Sequence, residues 1–291
     1  MAREHNYLLG SGERLTGAVD ITKGGGPKNP PYTFQVARQR IVTRLSSTLK
    51  AFSILPGDAK PNGEVVALLT MHPRYVSKSD YPQQLLAAVG LRSIGSRSSL
   101  VTPDAWGVDK HPDAALSEQL FVAGANAAFA RWVATLPSWS GEQPFAQQIQ
   151  SVENLEPYDA LTKLRTVPGD NREGVLEIVL HNAGDRSIID AFVEYARARD
   201  AKVLTDHVRD VRGLTFVPVR AAFSSAEELA RFSFVRVARA MPSLRPIQAS
   251  ILRSTGPAIQ LPSQECADGS FRAVVFDGYE RRSKNRPQCA A

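Results

Sequence analysis

Apolar residues first recur at helical spacing between Phe34 and Phe52, where Phe34, Ile41, Leu45, Leu49 and Phe52 share one face. Thr33 is a good N-cap for that helix, and Pro56-Gly57 ends it. The period then shortens. Residues 64–70 read as a strand, 80–89 as a helix with Leu85, Leu86 and Val89 on one side, and 91–96 and 119–123 as strands. A helix over 126–136 carries Phe129, Trp132, Val133 and Leu136, and 149–155 closes the series as a strand. That order is βαββαβ. It returns after Pro168-Gly-Asp-Asn171. Residues 175–180 are a strand, Asp185 caps a helix bearing Ile188, Ile189, Phe192, Val193 and Ala196, and 202–206 and 214–219 are strands joined at Arg212-Gly213. Ser224 or Ser225 caps a short helix with Glu227 and Glu228 in its first turn, and 234–240 is the last strand.

The pattern predicts an α+β chain with two tandem ferredoxin-like units. Residues 1–31 are a flexible arm ending in Gly24-Gly-Gly-Pro-Lys-Asn-Pro-Pro31, 32–166 hold the long helix and the first unit, and 172–247 hold the second. Residues 248–270 form a linker. The last segment, 271–291, opens with Phe271-Arg-Ala-Val-Val-Phe-Asp277-Gly278, an apolar strand delivering an aspartate. Such a strand end is where open α/β folds place their chemistry. A run from Glu280 to Ala291 without apolar period follows it and reads as a disordered tail. Each unit is expected to cover one sheet face with its two helices and leave the other face for a partner.

Composition narrows the function classes. The 291 residues are 43% hydrophobic and 22% charged, as in globular proteins. The formal charge is +6, but residues 270–291 alone supply half of it, through Arg272, Arg281, Arg282, Lys284 and Arg286 against Asp277 and Glu280. A polyanion-binding face is therefore not favoured. The two cysteines, Cys266 and Cys289, exclude a disulfide framework. No apolar stretch is long enough for a signal peptide or a membrane span, so a cytoplasmic protein is the expectation.

Few residues carry chemistry. His5, His72, His111, His181 and His207 have no histidine or cysteine at i+4, and no metal or cofactor is expected. Gly10-Ser-Gly12 lacks the strand and the Gly-Lys-Ser/Thr that a phosphate loop needs. Arg212-Gly-Leu-Thr-Phe-Val-Pro-Val219 partly matches the third strand of an RNA-recognition motif, yet Leu214 and Val219 stand where aromatics would stack on bases. Stacking is worth about 1–3 kcal/mol per base, so most of the affinity is missing. Asp277 is the remaining candidate.

Taken together, Ala273-Val-Val-Phe-Asp277-Gly278 after a βαββαβ unit resembles the start of the catalytic domain of subtilisin-like serine peptidases (subtilases), whose propeptide is ferredoxin-like. Asn6-Tyr-Leu-Leu-Gly-Ser-Gly-Glu13, Val65-Val-Ala-Leu-Leu-Thr-Met-His-Pro73 and Gly90-Leu-Arg-Ser-Ile-Gly-Ser-Arg97 are similar to a bacterial branch with a long N-terminal extension. The resemblance implies an orphan first strand of a subtilisin-like α/β domain at 271–276, and Asp277 as the triad acid that orients a histidine and stabilises its imidazolium. It also implies a partner that is a subtilisin-like catalytic domain or peptide segment, with an AAA-type ATPase as a further partner. Arg239–Ser250 would be the segment sent through the active-site cleft. The departure begins at Tyr279. No histidine precedes glycine and no serine sits in Gly-[Thr/Ser]-Ser-x-Ala-x-Pro, so the triad histidine and serine are missing and the chain reads as a truncated, inactive form. The alternative is a non-enzymatic module of ferredoxin-like domains that binds protein or RNA.

Losing serine or histidine from such a triad costs on the order of a million-fold in kcat. The purified chain is accordingly expected to hydrolyse no peptide substrate and to take up no fluorophosphonate probe. Labelling at any serine, mapped by mass spectrometry, would overturn the assignment.

Overall fold

The computed structural model describes residues 29–181 and 185–242, which fall within one compact unit spanning Pro27–Ser243. Two antiparallel sheets organise it, each the centre of one lobe. In the N-lobe, helix α1 (Phe34–Ile54) precedes β1 (Glu64–Met71), α2 (Gln83–Val89), β2 (Arg92–Val101), β3 (Ala115–Ala125), α3 (Asn126–Thr135) and β4 (Val152–Pro157). The strand order β2-β3-β1-β4 is the ferredoxin-like one. Thr33 caps α1 by accepting from the Val36 N–H, as its position suggests. Gly90 ends α2 with φ +72, a left-handed turn that a side chain would strain.

After the short α4 (Pro144–Gln147) and α5 (Ala160–Lys163), the C-lobe repeats the arrangement. Its strands are β5 (Leu164–Arg165), β6 (Glu173–His181), β7 (Lys202–Val203), β8 (Arg209–Val211), β9 (Leu214–Ala222) and β10 (Val235–Ala240). Helices α6 (Arg186–Arg197) and α7 (Ala226–Ala230) complete it. The order β10-β6-β9-β7 again is ferredoxin-like, with β5 added in parallel on β10. Asp185 caps α6 by accepting from the Ser187 N–H at 2.8 Å. Leu176, Ile178 and Leu180 of β6 join Phe192 and Leu229 of the helices in one core.

Several expected boundaries move. The helix begun at residue 80 becomes a 3₁₀ turn, Lys78–Asp80, followed by α2. Pro82 removes an N–H and disfavours helix in the residue before it, so the two cannot merge. The closing strand expected at 149–155 starts only at Val152, because Gln148–Ser151 form a 3₁₀ turn. Residues 202–206 do not make one strand: a 3₁₀ turn, Thr205–His207, divides β7 from β8, and both pair with β9. Neither Ser224 nor Ser225 supplies a side-chain cap to α7. Arg212 and Gly213 have φ of 45° and 85°, and Val211 pairs directly with Leu214. They form a two-residue hairpin turn of the primed kind, which explains the Arg-Gly of the motif-like segment.

The lobes meet through the second face of the N-lobe sheet. In β1, Val65, Ala67, Leu69 and Met71 pack with α1, α2 and α3, while Val66 and Leu68 join the C-lobe core with Phe121 and Ala123. This double burial is why β1 shows no polar alternation. Ser233 holds the junction at backbone level. Its hydroxyl accepts from the Val66 N–H at 2.8 Å and its own N–H donates to the Ala59 carbonyl at 2.9 Å. Ser233→Ala leaves the buried Val66 N–H unpaired and is expected to lower stability by about 1–3 kcal/mol in urea unfolding. An unchanged midpoint would show that this bond does not hold the lobes together.

Candidate functional site

Asp277, the strand 271–276 and the linker 248–270 lie outside the described residues, as do residues 243–250 of the expected cleft segment. Two of the described histidines carry clear structural roles. His72 is buried; its Nε2 bonds the Ala105 carbonyl at 2.9 Å and its Nδ1 accepts from the Arg74 N–H. This fixes the loop before β3 beside a network in which Tyr32 donates to Glu153 and Arg40 pairs with Glu153 and Asp104. His111 stacks on Trp106. Among the described residues no histidine pairs with a carboxylate or a serine hydroxyl.

The most unusual electrostatics lie at the seam between the lobes, around Tyr158. Its hydroxyl donates to the Arg236 carbonyl at 2.5 Å, and its ring lies under two cations, the Arg97 guanidinium at 5.5 Å and the Lys163 ammonium at 5.1 Å. Burial raises the Tyr158 pKa, while the charges of Arg97, Arg165 and Arg236 all act to lower it. Arg97 and Arg236 also share the ring of Phe121, at 5.7 and 4.8 Å. Arg97 reaches this position because β2 pairs it with Gln119, whose Oε1 accepts from its Nε at 2.8 Å. Arg236 reaches it because a bulge in β10 between Val235 and Val237 re-aims the strand.

His181 ends β6 inside the same seam. It is fully buried against Phe121, with ring centroids 4.4 Å apart, and neither ring nitrogen has a hydrogen-bond partner. Burial, followed by the Arg236 charge, lowers its pKa to about 3, so the ring is neutral. Full burial shuts the ring off from solvent.

Lys163 was not singled out by its sequence context, a helix-end lysine of ordinary appearance. It is 1% exposed, and its Nζ donates to the carbonyls of Ala230 and Phe232 at 2.9 and 3.1 Å. Burial pulls its pKa down to about 7, with the Asp159 charge opposing. Lys163 also lines a cavity of about 330 Å³ with Phe52, Val66, Tyr158 and Ser233. Ile54 and Leu161 stand exposed at its edge, 82% and 61% accessible. A larger groove of about 630 Å³ on the N-lobe is lined by Tyr75, Lys78 and Glu118 among others and contains no fully buried ionisable group. The seam is therefore the better candidate site. Among the described residues no cluster of His, Cys, Asp or Glu could hold a metal ion, and no helix is long and apolar enough to cross a membrane.

No protein-family model matches the chain, and no curated protein matches it. Among solved structures, the acetolactate synthase small subunit from Thermotoga maritima aligns with 62% of this chain and 99% of its own, at 13% identity and a TM-score of 0.19. A protein described as a glycine cleavage system transcriptional repressor covers 55% of this chain and 80% of its own, at 12% identity and a TM-score of 0.20. An unknown protein from Galdieria sulphuraria covers 57% and 86%, at 11% identity and a TM-score of 0.18. Likenesses at these scores carry no argument, and the fold rests on the strand order and register of the two sheets themselves.

Lys163 makes a pH dependence expected. In the folded chain its amine loses the proton near pH 7, whereas an unfolded lysine keeps it to about pH 10.4. The unfolded chain binds more protons between those values, so the Lys163 contribution to stability rises with pH across that window. Relative to Lys163→Met, the wild type is expected to gain on the order of 2–3 kcal/mol between pH 7 and pH 9.5 in chemical denaturation. A constant difference would mean that the amine titrates as if exposed.

Proposed function

We propose that this chain is a non-catalytic docking module, with its two ferredoxin-like lobes serving as the N-terminal, propeptide-like regulatory region of a subtilisin-like serine endopeptidase. The observation that supports it most is the face of the C-lobe sheet opposite its helices. The pairing of β6, β9 and β10 puts Val175, Val179, Phe216, Pro218 and Val237 on that face, with the Glu177–Arg239 ion pair among them. Val175, Phe216 and Val237 keep part of their surface accessible. An apolar sheet face of this kind suits a protein partner better than a strand of RNA. Of the motif-like residues only Phe216 offers an aromatic ring on this face, and Val219 is buried in the core.

In the resembled family a propeptide sheet packs on the catalytic domain, and the segment after its last strand enters the cleft. Here β10 ends at Ala240, and the Met241 N–H still bonds the Val175 carbonyl at 2.8 Å. The expected stretch from Arg239 therefore shortens, because Arg239 and Ala240 are held in β10; residues from Pro242 onward would supply it, with Pro242 and Pro246 favouring an extended path suited to strand addition. The seam contributes no nucleophile to this role, and Asp277 would act only beside a histidine and serine from elsewhere.

The chain is expected to inhibit a separately expressed subtilisin-like catalytic domain in a peptide hydrolysis assay. Phe216→Glu with Val237→Glu is expected to weaken inhibition at least tenfold, about 1.4 kcal/mol, while circular dichroism stays unchanged. No inhibition at high micromolar concentration would overturn the reading.

A further inference from the structure

Three guanidiniums gather at the seam without a carboxylate to neutralise them. Arg97, Arg165 and Arg236 are the charges felt by the Tyr158 hydroxyl, and among the described residues none of them makes a salt bridge. Their hydrogen-bond partners are neutral. Arg97 donates to Gln119, Arg236 to the Ser96 carbonyl at 3.0 Å, and Arg165 to the carbonyls of Thr162 and Leu164. Half-buried Arg40 and Arg199, by contrast, each pair with two acids.

The arrangement is built rather than incidental. Gly95 has φ +147, and a Cβ there would lie 3.2 Å from Nη1 of Arg236 and 3.6 Å from His181 Cε1. The absence of a side chain lets the Arg236 guanidinium lie over Phe121. Buried neutral His181 backs the notch and brings no negative charge. Burial, and then the Arg97 charge against the stabilising Tyr158, holds the Arg236 pKa below its ordinary value. The guanidiniums stay charged at any physiological pH, so the arrangement is disfavoured until a counter-charge arrives. Arg97 and Arg236 are only half-buried, which leaves an approach for a small ligand.

We propose that Arg97 and Arg236 form a binding site over Phe121 for a small oxyanion, a carboxylate or phosphate group that accepts forked hydrogen bonds from the two guanidiniums, with Arg165 adding positive charge from the Tyr158 side. Planar guanidinium forks match the oxygen spacing of both groups. Arg165 is the strand partner of Arg239, so the site adjoins the edge of the apolar sheet face, but the proposal does not depend on the docking function.

The test is a titration of the full chain with inorganic phosphate and, separately, citrate, against sodium chloride at matched ionic strength. Thermal unfolding and calorimetry are the readouts. At least one oxyanion is expected to raise the melting temperature saturably in the millimolar range, and which one does so separates phosphate from carboxylate. Arg97→Gln with Arg236→Gln is expected to weaken binding at least tenfold. The control Arg44→Gln with Arg131→Gln, exposed on the helices that cover the other face of the N-lobe sheet, is expected to bind as the wild type does. Should the double variant fail to fold, exposed Arg165→Gln alone is expected to weaken binding at least threefold. Equal stabilisation by chloride, or seam variants that bind like the control, would overturn the proposal.

Discussion

The burial of the N-lobe sheet on both faces is the constraint from which most of the molecule follows. A ferredoxin-like sheet ordinarily has helices on one side and an open side opposite. Here the open side is not available to a partner, because Val66, Leu68, Phe121 and Ala123 belong to the same apolar cluster as the C-lobe core. Each large side chain so buried contributes roughly 1.5–3 kcal/mol. Closing that face also traps polar groups, and they must be satisfied locally. Ser233 takes the Val66 N–H, Tyr158 takes the Arg236 carbonyl, and Lys163 takes two carbonyls beyond α7. The docking surface that the fold would normally offer twice is left once, on the C-lobe.

The same closure concentrates positive charge. Lys163, Arg97, Arg165 and Arg236 come from both lobes and converge on Tyr158 and Phe121. Aromatic faces offset part of the repulsion, because each ring presents negative density to a cation. That attraction is worth about 0.5–2 kcal/mol per pair and cannot replace an ion pair for several cations at once. A chain with acids to spare on its other surfaces withholds them here. Residual positive potential in a half-buried notch is a property that ligand binding uses and that folding alone would avoid.

The two βαββαβ orders were legible because apolar periods change sharply at each element. The six-residue run of β6, with Asp185 capping the helix after it, illustrates this. What the pattern concealed was tertiary. Ile149, Val152 and Leu155 give residues 149–155 the apolar content of a strand, but Gln148–Ser151 are drawn into a 3₁₀ turn, where Ile149 fills the core beneath α1. Residues 202–206 have the pattern of one strand, but the chain turns at Thr205 before rejoining β9. The seam could not be found along the chain at all. Lys163, His181 and Arg236 are separated by ordinary segments, and nothing local marks a lysine as buried. Asp277, the residue that sequence pattern made most prominent, lies outside the described residues, and its role rests on family resemblance alone.

Strand β10 connects the two surfaces that matter. Its bulge places Arg236 in the cationic notch, while three residues later Arg239 pairs with Glu177 and the chain leaves toward Pro242. A strand this short has little freedom to move one end without the other, since its register is pinned by β5 on one side and β6 on the other. An anion that ordered Arg236 would therefore act on the strand that ends at Ala240. The reverse holds by linkage, because a partner that pulls on residue 241 must work against the same bulge. Two sites that share one bulged strand have a physical route for coupling, and neither requires a catalytic residue of its own.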